Sequence, residues 1–297
     1  MIVTYFAQAD RQQALLAALL PQVAHTVVVD NTPAVAAHGP RVEGPGLTRV
    51  ANGSNRGLAA AQNQGVDLLA ASGVDDLLFI DDDSLPAPDM VARLQLAAAK
   101  RRAEGQRVGA VGPRWVDRHT GQAVPFVRLG WGRMHAIECR GPSVECDTLV
   151  SSGCLIALDT WRAVGPLRAD LFIDQVDVEW CLRAQRLGFR LYGACEAQLM
   201  HGIGERVVRP WFARRKTIPV HSPVRDYYLV RNTLAVFFRA PAPWRWRLLS
   251  AIRLAGLTVV MLTQMPPRRV RARMLWRALR DAAAGRLGPL PDATDTH

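Results

Sequence analysis

Apolar and polar positions along the first hundred residues alternate as strands and helices taking turns. Residues 2–6 form a short apolar run, 11–20 repeat apolar side chains at helical spacing, and 26–30 is a β-branched run ending in polar residues. These three pieces predict one β-α-β unit. After a Pro/Gly loop, 47–51 reads as a strand, 58–71 as an Ala-rich helix and 76–81 as a buried strand. A helix over 88–103 carries Pro88 and Asp89 in its first turn and leads to a strand at 108–111. The order predicts an α/β fold on a mostly parallel sheet. From 116 to 150 short Gly-, Trp- and Arg-rich segments predict a small antiparallel addition. Beyond it we read a strand over 149–158, a short helix capped by Asp159 and holding Trp161, and a helix over 176–187 with Trp180, Ala184 and Leu187 on one face.

The chain of 297 residues is 49 % hydrophobic and 21 % charged, which excludes a disordered or collagen-like chain and a small disulfide scaffold. The net charge of +11 is unevenly placed. Residues 205–286 carry 18 Lys and Arg against 3 Asp and Glu, while 1–204 carry 19 against 21. That contrast divides the chain into a slightly acidic body (1–204), a basic, aromatic-rich helical extension (205–286) and a tail (287–297) expected to be disordered. Five cysteines without a CxxC pair argue against a disulfide framework and a thiolate zinc site, and for a reducing compartment. The first residues have no basic flank or long apolar stretch, so no secretory signal is expected and the chain reads as cytoplasmic.

In open parallel sheets ligands bind beyond the carboxyl ends of the strands, so the polar residues there carry the chemistry. These ends supply Thr4 and Tyr5, then Asp30 and Asn31, then the run Asp81, Asp82, Asp83, Ser84. Consecutive carboxylates repel unless a cation neutralises them. Asp81 and Asp83, two apart, can converge on one site whose hard oxygens suit Mg2+ or Mn2+. A solvated acidic loop is the plainer alternative. The stretch 52–65, with Asn55, Gly57 and Asn63, looks like a loop entering a helix near a ligand. It is neither a Walker loop nor a GxGxxG turn, which weakens ATPase and dinucleotide readings. Asp177, opening a helix beside Trp180, is a candidate general base, or else a cap for the helix dipole. His201, between strand and glycines, is either a third metal ligand or a hydrogen-bonded loop histidine.

Taken in order, the set resembles the inverting family 2 glycosyltransferases of GT-A fold. The matching segments are Val3 to Tyr5, Val28 to Asn31, Asn55 to Gly57 with Asn63, Phe79 to Ser84, Ser151 to Gly153, Asp177 to Arg183, His201 to Gly204 and Tyr227 to Asn232. They extend over about residues 1–235 and look most like the rhamnosyltransferase branch, which includes O-antigen and rhamnolipid enzymes. The resemblance implies a nucleotide-sugar site with Thr4, Tyr5, Asp30 and Asn31 around base and ribose, Asn55, Gly57 and Asn63 nearby, and Asp81, Asp82 and Asp83 completing it. It further implies that Asp83 and His201 hold the metal on the diphosphate and that Asp177 is the base. Ser152, Gly153, Glu179, Trp180 and Arg231 would border the donor sugar and acceptor. Val176 stands where the family often has an acidic residue before the base, which leaves Asp174 as the second candidate.

The implied reaction is transfer of a sugar, L-rhamnose from dTDP-L-rhamnose by this branch, onto a glycolipid or lipid-linked saccharide by one inverting displacement. A UDP-hexose or UDP-galactofuranose donor is the alternative among enzymes, and a basic lipid- or nucleic-acid-binding protein the alternative outside them. In the extension, the 18-residue apolar stretch 248–265 is interrupted by Arg253 and flanked by Trp and Arg, so interfacial helices on a membrane surface fit better than a span. A bundle packed on the body with a basic outer face is the plain alternative. No zinc, RRM or helix-turn-helix pattern accompanies the arginines, so nucleic acid is not an expected partner. The expected location is peripheral, on the inner face of the cell membrane.

Overall fold

The computed structural model describes residues 1–34, 46–118, 121–202, 207–213 and 217–291. In chain order its elements are β1 (Ile2–Thr4), α1 (Ala9–Leu19), β2 (Thr26–Asp30), β3 (Leu47–Ala51), α2 (Leu58–Ala71), β4 (Asp76–Leu78), β5 (Ile80–Asp81), β6 (Ser84–Pro86), α3 (Met90–Ala103) and β7 (Val108–Asp117). Then come β8 (Phe126–Leu129), β9 (Met134–Ile137), β10 (Ser143–Cys146), β11 (Leu155–Ala157), α4 (Leu158–Val164), α5 (Val176–Arg186) and β12 (Arg190–His201). The chain closes with β13 (Val207–Val208), β14 (Ile218–Pro219), α6 (Pro223–Arg239), α7 (Trp244–Thr263) and α8 (Arg268–Ala283).

Strands β3, β2, β1 and β5 pair in parallel in that order, and β4, β11, β7, β12 and β10 continue the surface. The two halves join at Phe79, where the strand is interrupted and its backbone turns to Cys154 and Gly153. Strands β7 and β12 run parallel to each other, while β11, β10 and β6 are antiparallel to their neighbours. This is the expected parallel sheet with an antiparallel addition.

Period-2 alternation divides the core between the two faces of the sheet. Val28 of β2 joins Ile2 and Ile80 beneath α1 and α3, against Leu15, Leu16, Met90 and Leu94. Val27 and Val29 face the other way, with Val66 and Leu69 of α2 and the indoles of Trp161 and Trp180 from α4 and α5. A third apolar cluster unites α6, α7 and α8 through Tyr227, Tyr228, Val260, Met261 and Leu275. Helix α6 belongs to both bodies, since its Ala235 and Val236 enter the cluster under the sheet. Its start is fixed by Pro223 in the first turn and by Ser222, whose hydroxyl accepts from the Arg225 N–H at 3.3 Å.

Several local expectations give way. The strand foreseen over 149–158 is three residues long, because Gly153, at φ 85°, turns the chain and donates its N–H to Phe79 at 2.6 Å. Ala157, not Asp159, is the N-cap of α4, and Asp159 sits in the first turn beside Arg162. Cys139 and Cys195 form a disulfide with Cα atoms 5.6 Å apart, against the expectation drawn from the odd count; Cys146, Cys154 and Cys181 are the free, buried ones. Residues 287–291 of the expected tail pack on α6, with Leu290 buried and its N–H given to the Tyr228 hydroxyl at 2.7 Å. The remainder of that tail, 292–297, the residues 203–206 at the expected boundary and most of the loop before β3 lie outside the described residues.

Helices α6 and α8 are held by a buried ion pair between Arg271 and Asp226, whose side chains are 3 % and 1 % exposed. Arg271 also donates to the His221 carbonyl at 2.8 Å. Removing one partner of such a pair strands the other charge, so Arg271→Met should lower stability by about 3–5 kcal/mol, read as a lower urea midpoint. An unchanged midpoint would show that the pair is dispensable to the helical layer.

Candidate active site

The carboxyl ends of β1, β2 and β5 lie side by side, as parallel pairing demands. Asn31 and Thr4 are buried there, the Asn31 N–H donating to the Thr4 carbonyl at 2.8 Å. The Asn31 amide donates to the Gly57 carbonyl at 3.1 Å and accepts from Asn52 at 2.9 Å, while Asn55 accepts from the Gly57 N–H at 3.0 Å. These amides shape the loop ahead of α2. Gly57 is required in it: at φ 84°, a Cβ would lie 2.8 Å from the Phe172 carbonyl oxygen. Asp30 accepts from the Thr32 N–H at 2.9 Å, and Tyr5 is exposed at the rim beside Phe6. Asn63 is directed elsewhere, both ends of its amide being engaged by the Leu167 backbone at 2.9 Å.

The acidic run follows β5, and its geometry is set by a pairing far away in sequence. Ser84, first residue of β6, lies opposite His201, last residue of β12. That register brings one ligand atom each from Asp81, Asp83 and His201 within 4.8 Å of one another. His201 Nδ1 stands 3.2 Å from an Asp83 carboxylate oxygen and 2.9 Å from the Ser84 hydroxyl. Ser84 in turn meets the Ser152 hydroxyl at 2.9 Å, which accepts from the Asp81 N–H at 3.0 Å. Ser152 is wholly buried, so it is a floor beneath the cluster rather than a sugar contact. Gly153 beside it could not carry a Cβ, which would fall 2.3 Å from the Pro113 ring. Trp115 covers the His201 ring at 4.4 Å and donates its indole N–H to the Ser152 carbonyl.

Crowding charge in this way changes proton affinities. Burial pushes the Asp81 carboxyl up to about 7, aided by Asp83, Asp82 and Asp177 and opposed by Arg225. Burial and Asp83 bring Asp82 to about 6, against a Tyr5 N–H that favours its charged form. Burial lowers the His201 pKa despite Asp83. Its neutral ring keeps a lone pair for a ligand. The Asp83 oxygen that faces His201 Nδ1 at 3.2 Å is buried and has no other polar contact among the described residues. That acceptor, a second carboxylate and a neutral imidazole fit a divalent cation.

Asp177 lies in the first turn of α5, its carboxylate accepting from the Val178 N–H at 2.8 Å and from Ser151. Burial raises its pKa against those two bonds, and its charge is felt at Asp81. Behind it lies a cavity of about 30 Å³ lined by Ser151, Cys154, Trp161, Trp180 and Cys181. The chain entering α5 is unusual: Phe172, Asp174 and Gln175 all adopt positive φ without a glycine among them. Such residues cost about 1–3 kcal/mol each and persist only where the surroundings enforce them. Asp174, the second candidate base, is half-buried beside Arg225 at 3.4 Å, its other oxygen without a hydrogen bond among the described residues.

Three expected sugar or acceptor contacts point into the protein instead. Glu179 is buried and accepts twice from Arg183 Nε at 2.9 Å. Trp180 donates to the Gly165 carbonyl at 3.0 Å and stacks on Trp161. Arg231, 1 % exposed, bonds the carbonyls of Leu171 and Gly288. Residue type gave no direction for these side chains; the inward face of each helix does. Sequence reasoning missed Arg225, whose charge reaches Asp81, Asp174 and His201, and Arg118, which donates to the Asp83 carbonyl at 3.1 Å. Arg225 stands in the first turn of α6 and Arg118 directly after β7, and only the tertiary packing brings either to the acidic run.

No family model matches the chain. Among curated proteins it is 29 % identical over 273 residues to the dTDP-rhamnosyl transferase RfbF of Shigella flexneri, covering 89 % of this chain and 88 % of that one. The solved structure of GalNAc-T7 with UDP, GalNAc and Mn2+ superposes with a TM-score of 0.56 at 11 % identity, over 95 % of this chain and 56 % of that one. The chain thus spans a little over half of GalNAc-T7. TarS 1–349 of S. aureus superposes at 0.55 and 12 % identity, over 95 % of this chain and 80 % of that one. Its complex with UDP-GlcNAc gives 0.55 at 13 % over 96 % and 80 %.

A proton on Asp81 competes with a cation for the same oxygens, and a raised pKa makes it compete near neutrality. Mn2+ affinity, followed by calorimetry, should therefore fall as pH drops below about 7, by up to about tenfold per pH unit. Asp83→Asn and His201→Ala should weaken binding at every pH. Affinity independent of pH from 8 to 6 would refute Asp81 as a ligand.

Proposed function

We propose that this chain, a glycosyltransferase of GT-A fold, transfers L-rhamnose from dTDP-L-rhamnose to a glycolipid or lipid-linked saccharide with inversion. The observation that carries the reading is the convergence of Asp81, Asp83, His201 and Asp177 at the strand ends of a chain similar along 89 % of its length to a dTDP-rhamnosyl transferase. Thr4, Asn31, Asn55 and Gly57 shape the nucleoside wall, with Tyr5 and Asp30 at its rim and Asp82 below. Asp81, Asp83 and His201 hold a divalent cation, Mg2+ or Mn2+. When bound, the cation supplies positive charge that stabilises the departing diphosphate.

Asp177 performs the proton transfer. Its carboxylate takes the proton of the acceptor hydroxyl as that oxygen attacks the anomeric carbon from the face opposite the nucleotide, and one displacement inverts the configuration. Burial suits it to this role, because a carboxylate short of solvent binds a proton more strongly than one in water. Gly153 and Ser152 contribute the floor on which Asp81 is oriented. Asn63, Glu179, Trp180 and Arg231 have no substrate contact in this reading.

Helix α7 supports a membrane surface as the site of work. Trp244, Leu248, Ile252, Val259 and Leu262 follow one another along one side of it, all exposed. It is long and apolar enough to cross a bilayer, and 22 % of its apolar window is buried. Together with the arginine excess of the extension, this supports a helix lying at an anionic headgroup boundary of the cell membrane.

Calorimetry with dTDP-rhamnose, UDP-glucose and UDP-galactofuranose, with and without Mn2+, should show metal-dependent preference for dTDP-rhamnose; preference for a UDP-sugar would replace the donor. Asp177→Asn should keep donor binding and lose about 10²–10⁴ in turnover, and undiminished turnover would remove it as base. The chain should float with vesicles containing phosphatidylglycerol, and Leu248→Glu with Ile252→Glu should abolish flotation while donor binding persists. Flotation by the double variant would take α7 out of the interface.

A further inference from the structure

The loop that presents Asp177 is built against its own conformational preferences. Phe172, Asp174 and Gln175 are held at φ 69°, 62° and 63°, and the turn leaves the carbonyls of Leu171, Ile173 and Asp174 pointing toward α6. One side chain meets all three. The Asn232 amide nitrogen lies 2.7 Å from the Leu171 oxygen, 2.7 Å from that of Ile173 and 3.1 Å from that of Asp174. Asn232 is wholly buried, so no water substitutes for these bonds. Which end of the amide faces the loop is decided by its neighbour: Arg231 Nε donates to Asn232 Oδ1 at 2.9 Å, which forces the nitrogen toward the carbonyls. Arg231 adds its own bond to the Leu171 oxygen at 3.2 Å and is anchored by the Gly288 carbonyl at 2.7 Å.

Tyr228 completes the grip. Its ring stacks on Phe172 with centroids 5.0 Å apart and planes at 16°. Tyr228, Arg231 and Asn232 are spaced i, i+3, i+4 on α6 and so form one face of that helix. On its far side the same loop touches the nucleoside wall, where the Ala59 N–H donates to the Phe172 oxygen at 3.4 Å. The start of α5 is therefore located by α6 on one side and by the first turn of α2 on the other.

We propose that Arg231 and Asn232 are positioning residues for the transfer reaction, holding the 171–175 loop in the one conformation that aims Asp177 into the cleft. Neither touches substrate. Their effect is transmitted through three backbone carbonyls to the first turn of α5. The proposal rests on Asp177 being the base, and a displacement of about 1 Å at such a group costs about a hundredfold in rate.

The test uses the full chain. Asn232→Ala should lower kcat about a hundredfold while calorimetric affinity for dTDP-rhamnose with Mn2+ stays within about twofold. A general loss of packing would not separate those two quantities. Arg231→Lys, which keeps the charge but cannot reach both the amide and Gly288, should lose about tenfold in kcat by the same route. Hydrogen–deuterium exchange should show the amides of 171–178 opening in Asn232→Ala while those of β2 stay protected. Unaltered exchange at 171–178, or kcat within about threefold of wild type in both variants, overturns the proposal. If Asn232→Ala fails to fold, Arg231→Lys decides by the same criteria. A wild-type chain that transfers no sugar, with the loop still opening in Asn232→Ala, would overturn the proposed function and uphold the clamp.

Discussion

Four carboxylates crowd the end of one strand, and they cannot all be charged in a site sheltered from water unless something positive is among them. Burial raises the proton affinity of Asp81, Asp82 and Asp177, and the Asp83 charge adds to it at Asp81 and Asp82. Much of the surrounding architecture answers that problem. The β6–β12 pairing delivers an imidazole, Ser152 satisfies the backbone of Asp81 from beneath, and Arg225 opposes the charge from α6. Left without a cation, the cluster tends to hold protons instead. Proton and metal binding are thereby competing states of one site.

The helical layer takes part in the same arrangement. Composition alone divides the chain between an acidic body and a basic appendage, yet α6 packs under the sheet through Ala235 and Val236 while its opposite end faces the acidic cluster through Arg225. A charge boundary is thus not a boundary of function. The basic excess lies on the outer helices, α7 and α8, and on the connections leading to them.

What could be read in advance had local signatures. Val27, Val28 and Val29 alternate between two cores as a buried parallel strand requires, and the acidic run after an apolar strand marked the site. What could not be read depended on partners distant in sequence. Nothing local to Ser84 or His201 specifies that they face each other; that comes from the register of β6 on β12. Glu179, Trp180 and Arg231 are residues of the right chemical types, but an Arg183 guanidinium, a Gly165 carbonyl and a buried loop claim them first. The Cys139–Cys195 bond likewise follows from β10 and β12 being edge neighbours, which a count of cysteines does not contain.

The bond from Arg231 to the Gly288 carbonyl has a consequence for how the molecule is made. Residues 171–175 and α6 leave the ribosome well before residue 288 does, so during synthesis the guanidinium beneath the 171–175 loop lacks its anchor. The parallel strands and the acidic cluster are built from residues up to 201, whereas the core beneath the sheet is completed by Ala235, Val236 and Trp246 of the later helices. The last adjustment of the loop waits for the C-terminal segment to close over α6. A chain stopped short of residue 288 therefore keeps every residue of the acidic cluster and lacks one anchor of the loop that leads to Asp177.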